Sequence, residues 1–340
     1  MHSGCFLSKR AGAAVTTALI LSVAGCGGGG GSAGSSNPAP LAVDLTTTNQ
    51  DHVSRAAAAA AQGNFASGAV PLADGGSGPL AAGRSRALAA VVLRAMQDRK
   101  RITAVSAPNA EACAVSGSVT TTLDDRDNSG AASVGDALTV LFSNCKDVVD
   151  ETINGTLTVT LSRLATSPRI SFTATAGASA FSVTAQGRSE VYNGDFTLTF
   201  AQTSATVDTT HVVIGSQLAV QVSAPKFNDT ITLLSGLTID STSDTAALPP
   251  GGTVPGLTTS TTSGEVASAA AGGKVTVSTV QPLLQYDVDV SPRSGQLNVV
   301  GKTGALKLTA LPGGLVRIDL DANGDGIFEE SKTVAWDLIF

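Results

Sequence analysis

Between residues 112 and 340, segment after segment alternates apolar and polar side chains with a period of two, a pattern that fits a pleated strand and not a helix. Segments 119–123, 138–142, 157–161, 196–200, 218–222, 275–277 and 306–308 each turn one face inward and one face to water. Thr fills many of the polar positions; it is a good strand former that stays soluble. The connections between strands are short, which favours antiparallel pairing. No helical pattern interrupts them, which argues against a parallel βαβ sheet. Four pairs, Ser116-Gly117, Asn154-Gly155, Asn193-Gly194 and Ser294-Gly295, read as tight hairpin turns, because glycine accepts the positive φ such turns need. The expectation is a mainly β domain over 112–340, one large antiparallel sheet shaped as a sandwich, a roll or a half-barrel. Residues 246–256 carry too much Pro and Gly for a central strand, so they mark a long surface loop or a boundary between two β subdomains.

Two α-helices are expected before the sheet, within 41–105. Thr48 or Asn49 can cap the first, which runs through the alanines 56–61 and stops at Gly63. Ser85 can cap the second, where Leu88, Val91, Val92, Ala95 and Met96 recur at helical spacing. Arg94, Arg99, Lys100 and Arg101 crowd its C-terminal end. They read as cations complementing the helix dipole, with a phosphate-binding patch as the sharper alternative.

The first 26 residues read as an address. Lys9 and Arg10 precede an uncharged apolar stretch, 11–23, which is too short to span a bilayer, since a span needs about 20 apolar residues. Val23-Ala24-Gly25-Cys26 follows at once and resembles the lipobox of bacterial lipoproteins. The resemblance implies a signal peptide over 1–25, cleavage before Cys26 and acylation of that cysteine. Gly27, where an Asp would imply inner-membrane retention, implies the outer membrane. Buried acyl chains suffice for anchoring, at about 0.8 kcal/mol per CH₂. Residues 26–40 are a Gly/Ser-rich tether that lacks the apolar surface to fold. Its Gly30-Gly31-Ser32-Ala33-Gly34 matches a nucleophile elbow in letters only, because the strand and helix that flank an elbow are missing from the sequence pattern.

Of the four cysteines, Cys5 belongs to the signal and Cys26 to the lipid. Cys113 and Cys145 remain, and in an oxidising compartment they are expected to form a disulfide. The balance of 21 Lys+Arg against 27 Asp+Glu, a formal net charge of −6, argues against nucleic acid as a partner.

Two acidic loops carry the chemistry. Asp321-Ala322-Asn323-Gly324-Asp325-Gly326-Ile327 matches the first half of an EF-hand calcium loop: oxygens at positions 1, 3 and 5, Gly at 6, and a backbone carbonyl at 7. Position 12 is Lys332, so Glu329 or Glu330 would have to supply the missing carboxylate. The flanks, 316–320 and 333–336, are strand-like, so the resemblance implies a calcium-loop fragment in a hairpin. The other loop offers Asp125, Asp127, Ser129 and Gly130, with Asp136 at position 12, and lies between Cys113 and Cys145. Turn formation alone also explains such runs of Asp, Asn and Gly.

No catalytic motif stands in a recognisable context. His211 reads as a strand-face residue, Trp336 as core under the last hairpin with a sugar platform as the alternative, and Glu190, Asp195 and Asp229 as turn or solvent-face residues. The whole chain resembles Gram-negative lipoproteins that combine a lipobox, Ala-rich N-terminal helices, Thr-rich strands and a closing D-x-N-x-D-G hairpin. The resulting expectation is an envelope lipoprotein with a structural or binding β domain stabilised by Ca²⁺, with a protein or glycan as partner. Two alternatives stand beside it: a lipid or lipoprotein carrier with a half-barrel cavity, and a surface hydrolase that would bring a carboxylate pair together in a cleft.

Overall fold

A computed structural model describes residues 39–62 and 109–339, apart from 131–132, 147–148, 150, 186, 225–226 and 290. The signal segment, Cys26, most of the tether and the second expected helix lie outside the described residues, as do Arg94, Arg99, Lys100 and Arg101.

The first helix, α1, runs Gln50–Gln62. Thr46 and Asn49 close its N-terminus reciprocally: Asn49 N–H donates to Thr46 Oγ1 (3.3 Å) and Thr46 N–H donates to Asn49 Oδ1 (2.9 Å). That is a capping box built on Thr46, two to three residues before the caps expected from the sequence.

Fifteen strands among the described residues form one antiparallel sheet. They are β1 Asn109–Ala112, β2 Ser116–Asp124, β3 Ala137–Lys146, β4 Glu151–Ala165, β5 Ser171–Ala185, β6 Arg188–Gln202, β7 Val207–Ala224 and β8 Phe227–Leu234. Then follow β9 Thr238–Asp244, β10 Leu257–Ser268, β11 Gly273–Tyr286, β12 Ser294–Val300, β13 Ala305–Leu311, β14 Leu315–Asp321 and β15 Glu330–Ala335. The sheet is a meander: neighbours in space are neighbours in sequence. β8 and β9 share one lane, each pairing with both β7 and β10. Residues 246–256 join β9 to β10, and these strands pair directly, Leu257 opposite Asp244.

The four Ser/Asn-Gly pairs are not hairpin turns. All lie within strands, and each faces a bulge on the next lane. Gly155 (φ +98°) sits where a side chain would overlap the backbone of Ala180, itself at φ +47°. Gly117 meets Asn144 in the same way, Gly194 meets Gln217, and Gly295 meets Pro282 and Leu283. Asn193 Oδ1 accepts the Ala180 N–H (2.8 Å), and Asn154 Oδ1 accepts the Asn144 N–H (2.7 Å). The asparagine satisfies a donor that the bulge withdraws from its ladder, and the glycine gives the bulge room. Positive φ at these glycines follows from the sequence; its use as a crease across the sheet does not, because the partner lane decides it.

The inward residues of β3–β6 include six buried aromatics, Phe142, Phe172, Phe181, Tyr192, Phe196 and Phe200. Those of β8–β14 are mostly aliphatic, among them Ile231, Leu233, Val266, Val277, Leu308 and Ile318, with Asp229 of β8 a buried polar exception. α1 packs on β8, β10, β11 and β13. Arg55 of α1 shows how far this part of the sheet curls. Its guanidinium carbon lies 4.5 Å from the Phe227 ring at the start of β8, and its Nη2 donates to Leu338 O, beyond β15, at 3.2 Å. Those points are six lanes apart in the sheet order. A flat sheet would separate them by about 29 Å, so the lanes roll around the helix. Trp336 is buried in the same core, as expected.

The segment before α1 acts as a strap. Val43 N–H donates to Lys274 O (3.0 Å), Lys274 N–H to Leu41 O (2.8 Å), Lys302 N–H to Val43 O (2.8 Å) and Leu45 N–H to Thr303 O (3.1 Å). It sews the β10–β11 turn to the β12–β13 turn.

Candidate metal centres

The loop of 322–329 joins β14 to β15. Asp321, the last residue of β14, is buried, and its carboxylate accepts the N–H of Gly324 (2.6 Å) and of Gly326 (2.9 Å). Asn323 Oδ1 accepts the Asp325 N–H (2.8 Å), and Asp325 Oδ1 accepts the Ile327 N–H (2.8 Å). Glu329 folds back so that its Oε2 accepts the Ala322 N–H (2.9 Å). One oxygen each of Asp321, Asp325 and Glu329 lie within 4.8 Å of one another, a set that could hold a metal ion. Phe328 is stacked under Lys307, with Nζ 4.2 Å from the ring.

Between the two candidates for the missing carboxylate, this geometry draws in Glu329. Glu330 instead accepts from Gln50 Nε2 (3.2 Å) on α1. Lys332, at position 12, pairs with Asp51 of α1 at 2.6 Å. The Ile327 side chain is exposed, which leaves its backbone as the group a cation could use.

The loop between β2 and β3 repeats the same local design. Asp125 Oδ2 accepts the Gly130 N–H (2.8 Å), as Asp321 does for Gly326, and Asp127 Oδ1 accepts the Ser129 N–H (2.9 Å), as Asn323 does for Asp325. Position 4 is left-handed in both, Asn128 at φ +54° and Gly324 at φ +78°, and so is the glycine at position 6. Asp136 is buried and accepts from Arg126 N–H (3.1 Å) and Ser133 N–H (2.8 Å). Asp125, Asp127 and Asp136 bring one oxygen each within 4.8 Å. Hydrogen bonds, first from the Ser129 hydroxyl and also from its N–H, hold the Asp127 carboxyl well below the usual carboxylate range.

Strand direction places the two loops at opposite ends of the sheet. The Cys113–Cys145 disulfide forms as expected, with Cα atoms 5.5 Å apart. It closes the open end of the β2–β3 hairpin, remote from the acidic loop at the hairpin tip.

Sequence reading missed the buried acids. Glu190 and Asp229, taken for turn or solvent-face residues, are only 7% and 6% exposed. Register puts them on one inward row, with Val222 of β7 between. Two lanes separate them, about 10 Å. Glu190 accepts from the Tyr192 hydroxyl and pairs with Arg188. Asp229 accepts from Ser268 Oγ (2.6 Å) and Ala270 N–H (2.9 Å). Parity was the available signal: Glu190 shares the face of Tyr192, and Asp229 that of Ile231. Asp195, by contrast, accepts from the exposed Ser216 hydroxyl (2.6 Å). His211 is an exposed strand residue paired with Asp240 across the ladder (2.6 Å).

Comparison with protein-family models, with curated proteins and with solved structures returns no match of any kind.

Proposed function

We propose that this chain is a lipid-anchored protein of the bacterial envelope whose rolled β-sheet is a structural or binding module braced by calcium. The observation that carries the calcium reading is the convergence of Asp321, Asp325 and Glu329 within 4.8 Å at the tip of a two-stranded hairpin. Hard oxygen donors at this spacing suit Ca²⁺, which takes six to eight of them in an irregular shell. Three carboxylates held that close repel one another, and a divalent cation would remove the repulsion. The Asn323 side chain and the Ile327 carbonyl are the further oxygens on the loop. The lipid anchor rests on Val23-Ala24-Gly25-Cys26 at the end of an export-type segment.

Thermal unfolding of residues 41–340 with Ca²⁺ and then with chelator tests the cation. At a hundred times its dissociation constant a ligand stabilises the native state by about 2.7 kcal/mol. For a domain of this size that raises the Tm by roughly 5 °C. The gain should vanish in Asp321→Ala. Equal Tm in calcium and chelator would reduce both loops to ordinary turns. Labelling of the full chain with a fatty-acid probe in a bacterial host, lost in Cys26→Ala, tests the anchor.

Of the alternatives, the carrier is the one a specific observation favours. The lanes from β8 onward curl about α1, and the face they turn to it is largely aliphatic, which supports a half-barrel carrier. The hydrolase reading draws less support, since Glu190 and Asp229 are each engaged by neighbouring side chains.

A further inference from the structure

Among the described residues, four buried polar atoms of α1 have no hydrogen-bond partner: Gln50 Oε1, His52 Nδ1, Ser54 Oγ and Arg55 Nε. Buried polar groups in folded proteins are nearly always paired, and each one left unpaired forfeits the hydrogen bonds it makes with water. The docked position of this helix therefore works against its polar groups. Its apolar contribution is also small. Ala56, Ala57, Ala58, Ala60 and Ala61 are all buried, yet each brings a single methyl group, and Val53 is the one larger apolar side chain that α1 buries.

Among the described residues, the polar links that hold α1 lie in its first two turns. Lys332 pairs with Asp51 (2.6 Å), Gln50 Nε2 donates to Glu330 (3.2 Å), and Arg55 reaches Leu338 O (3.2 Å) and the Phe227 ring. The sheet, for its part, closes its ladders strand to strand. The strap at 41–45 is bound separately, through four backbone hydrogen bonds to the two adjoining turns.

We propose that α1 is a displaceable plug. It swings out of the curl about the capped turn at 46–49 while the strap and the sheet stay in place, and it thereby opens the largely aliphatic inner face of β8, β10, β11 and β13. Alanines on the buried side suit an element that must leave again: they fill the space and cost little to withdraw. Ionic and polar latches at one end set how often it does so. This device needs no cation in either loop and holds whether or not calcium binds.

Native-state hydrogen exchange of the full chain, read by mass spectrometry, decides it. The amides of α1 should exchange about a hundredfold faster than those of β10–β13, through a partial opening well below the global transition. Ser54→Ala removes an unpartnered hydroxyl and should slow α1 exchange about tenfold, leaving the strands unchanged. Lys332→Met cuts a latch and should speed it several-fold. Exchange of α1 in step with β10–β13 in the unmodified chain would overturn the proposal. So would a Ser54→Ala variant whose helix exchanges no more slowly. If Lys332→Met loosens the strands as well, the Ser54→Ala comparison still decides.

Discussion

At the residue scale, the sheet bends where a glycine on one lane meets a bulge on the next. The two members of each Asn-Gly pair do different work, so they should fail differently. Gly155→Ala forces a side chain into a left-handed conformation, which costs about 1–2 kcal/mol, and drives its methyl into the Ala180 backbone as well. A loss of about 3 kcal/mol or more in urea unfolding is expected. Asn193→Ala strands one partly solvated N–H, and a loss near 1 kcal/mol is expected. Equal effects of the two would mean that the crease is held by something other than close backbone approach. These pairs also show where sequence reading stops. Local preference fixes the sign of φ, but a tight turn and a mid-strand crease make the same demand on Gly. Only the register of the neighbouring lane tells them apart.

At the element scale, the alternation of apolar and polar residues made β2, β3, β4, β6, β7, β11 and β13 readable, since all but the half-exposed β2 bury one face. β1 was beyond reach: its four residues, Asn-Ala-Glu-Ala, alternate but are too few and too weakly apolar to announce a strand, and it pairs with β2 along its whole length. β5 has the pattern in muted form, with Ala at inward positions where Val or Leu would have announced a strand. The acidic loops were readable because six consecutive residues supply the turn geometry of each, whereas Glu190 and Asp229 were not, because charge outweighed parity. A short edge strand such as β1 depends on its attachments, and Cys113 follows it directly. The disulfide to Cys145, 32 residues further on, should stabilise the fold by roughly 3–4 kcal/mol through the unfolded chain it constrains. Cys113→Ser with Cys145→Ser should lose that much in urea unfolding, and exchange at β1 amides should rise first. Unchanged stability would mean that the unfolded ensemble already keeps these segments together.

At the scale of the whole molecule, a meander of sequential strands leaves its overall shape undetermined, since the same ladders can lie open or roll up. Twist alone turns each lane by some 20–25° relative to the last and gives a propeller, not a roll. Here the lanes carry creases, and both ends of the rolled segment touch a helix. Through Arg55, the start of β8 and the residues after β15 stand no more than about 15 Å apart in backbone, where an uncurled sheet would hold them near 29 Å. Spin labels at the exposed positions Asn228 and Leu338 distinguish the two shapes directly. A narrow distribution with its mean below about 25 Å is expected, allowing for the length of both labels. A mean beyond about 30 Å would show the sheet open and deprive α1 of its enclosing wall. Arg55→Ala sharpens the measurement: if that side chain merely rests on a curl set by the creases, the distance holds and the distribution keeps its width. If Arg55 draws the two edges together, the same substitution lengthens and broadens it, and the roll is then a property of the docked helix, not of the sheet alone.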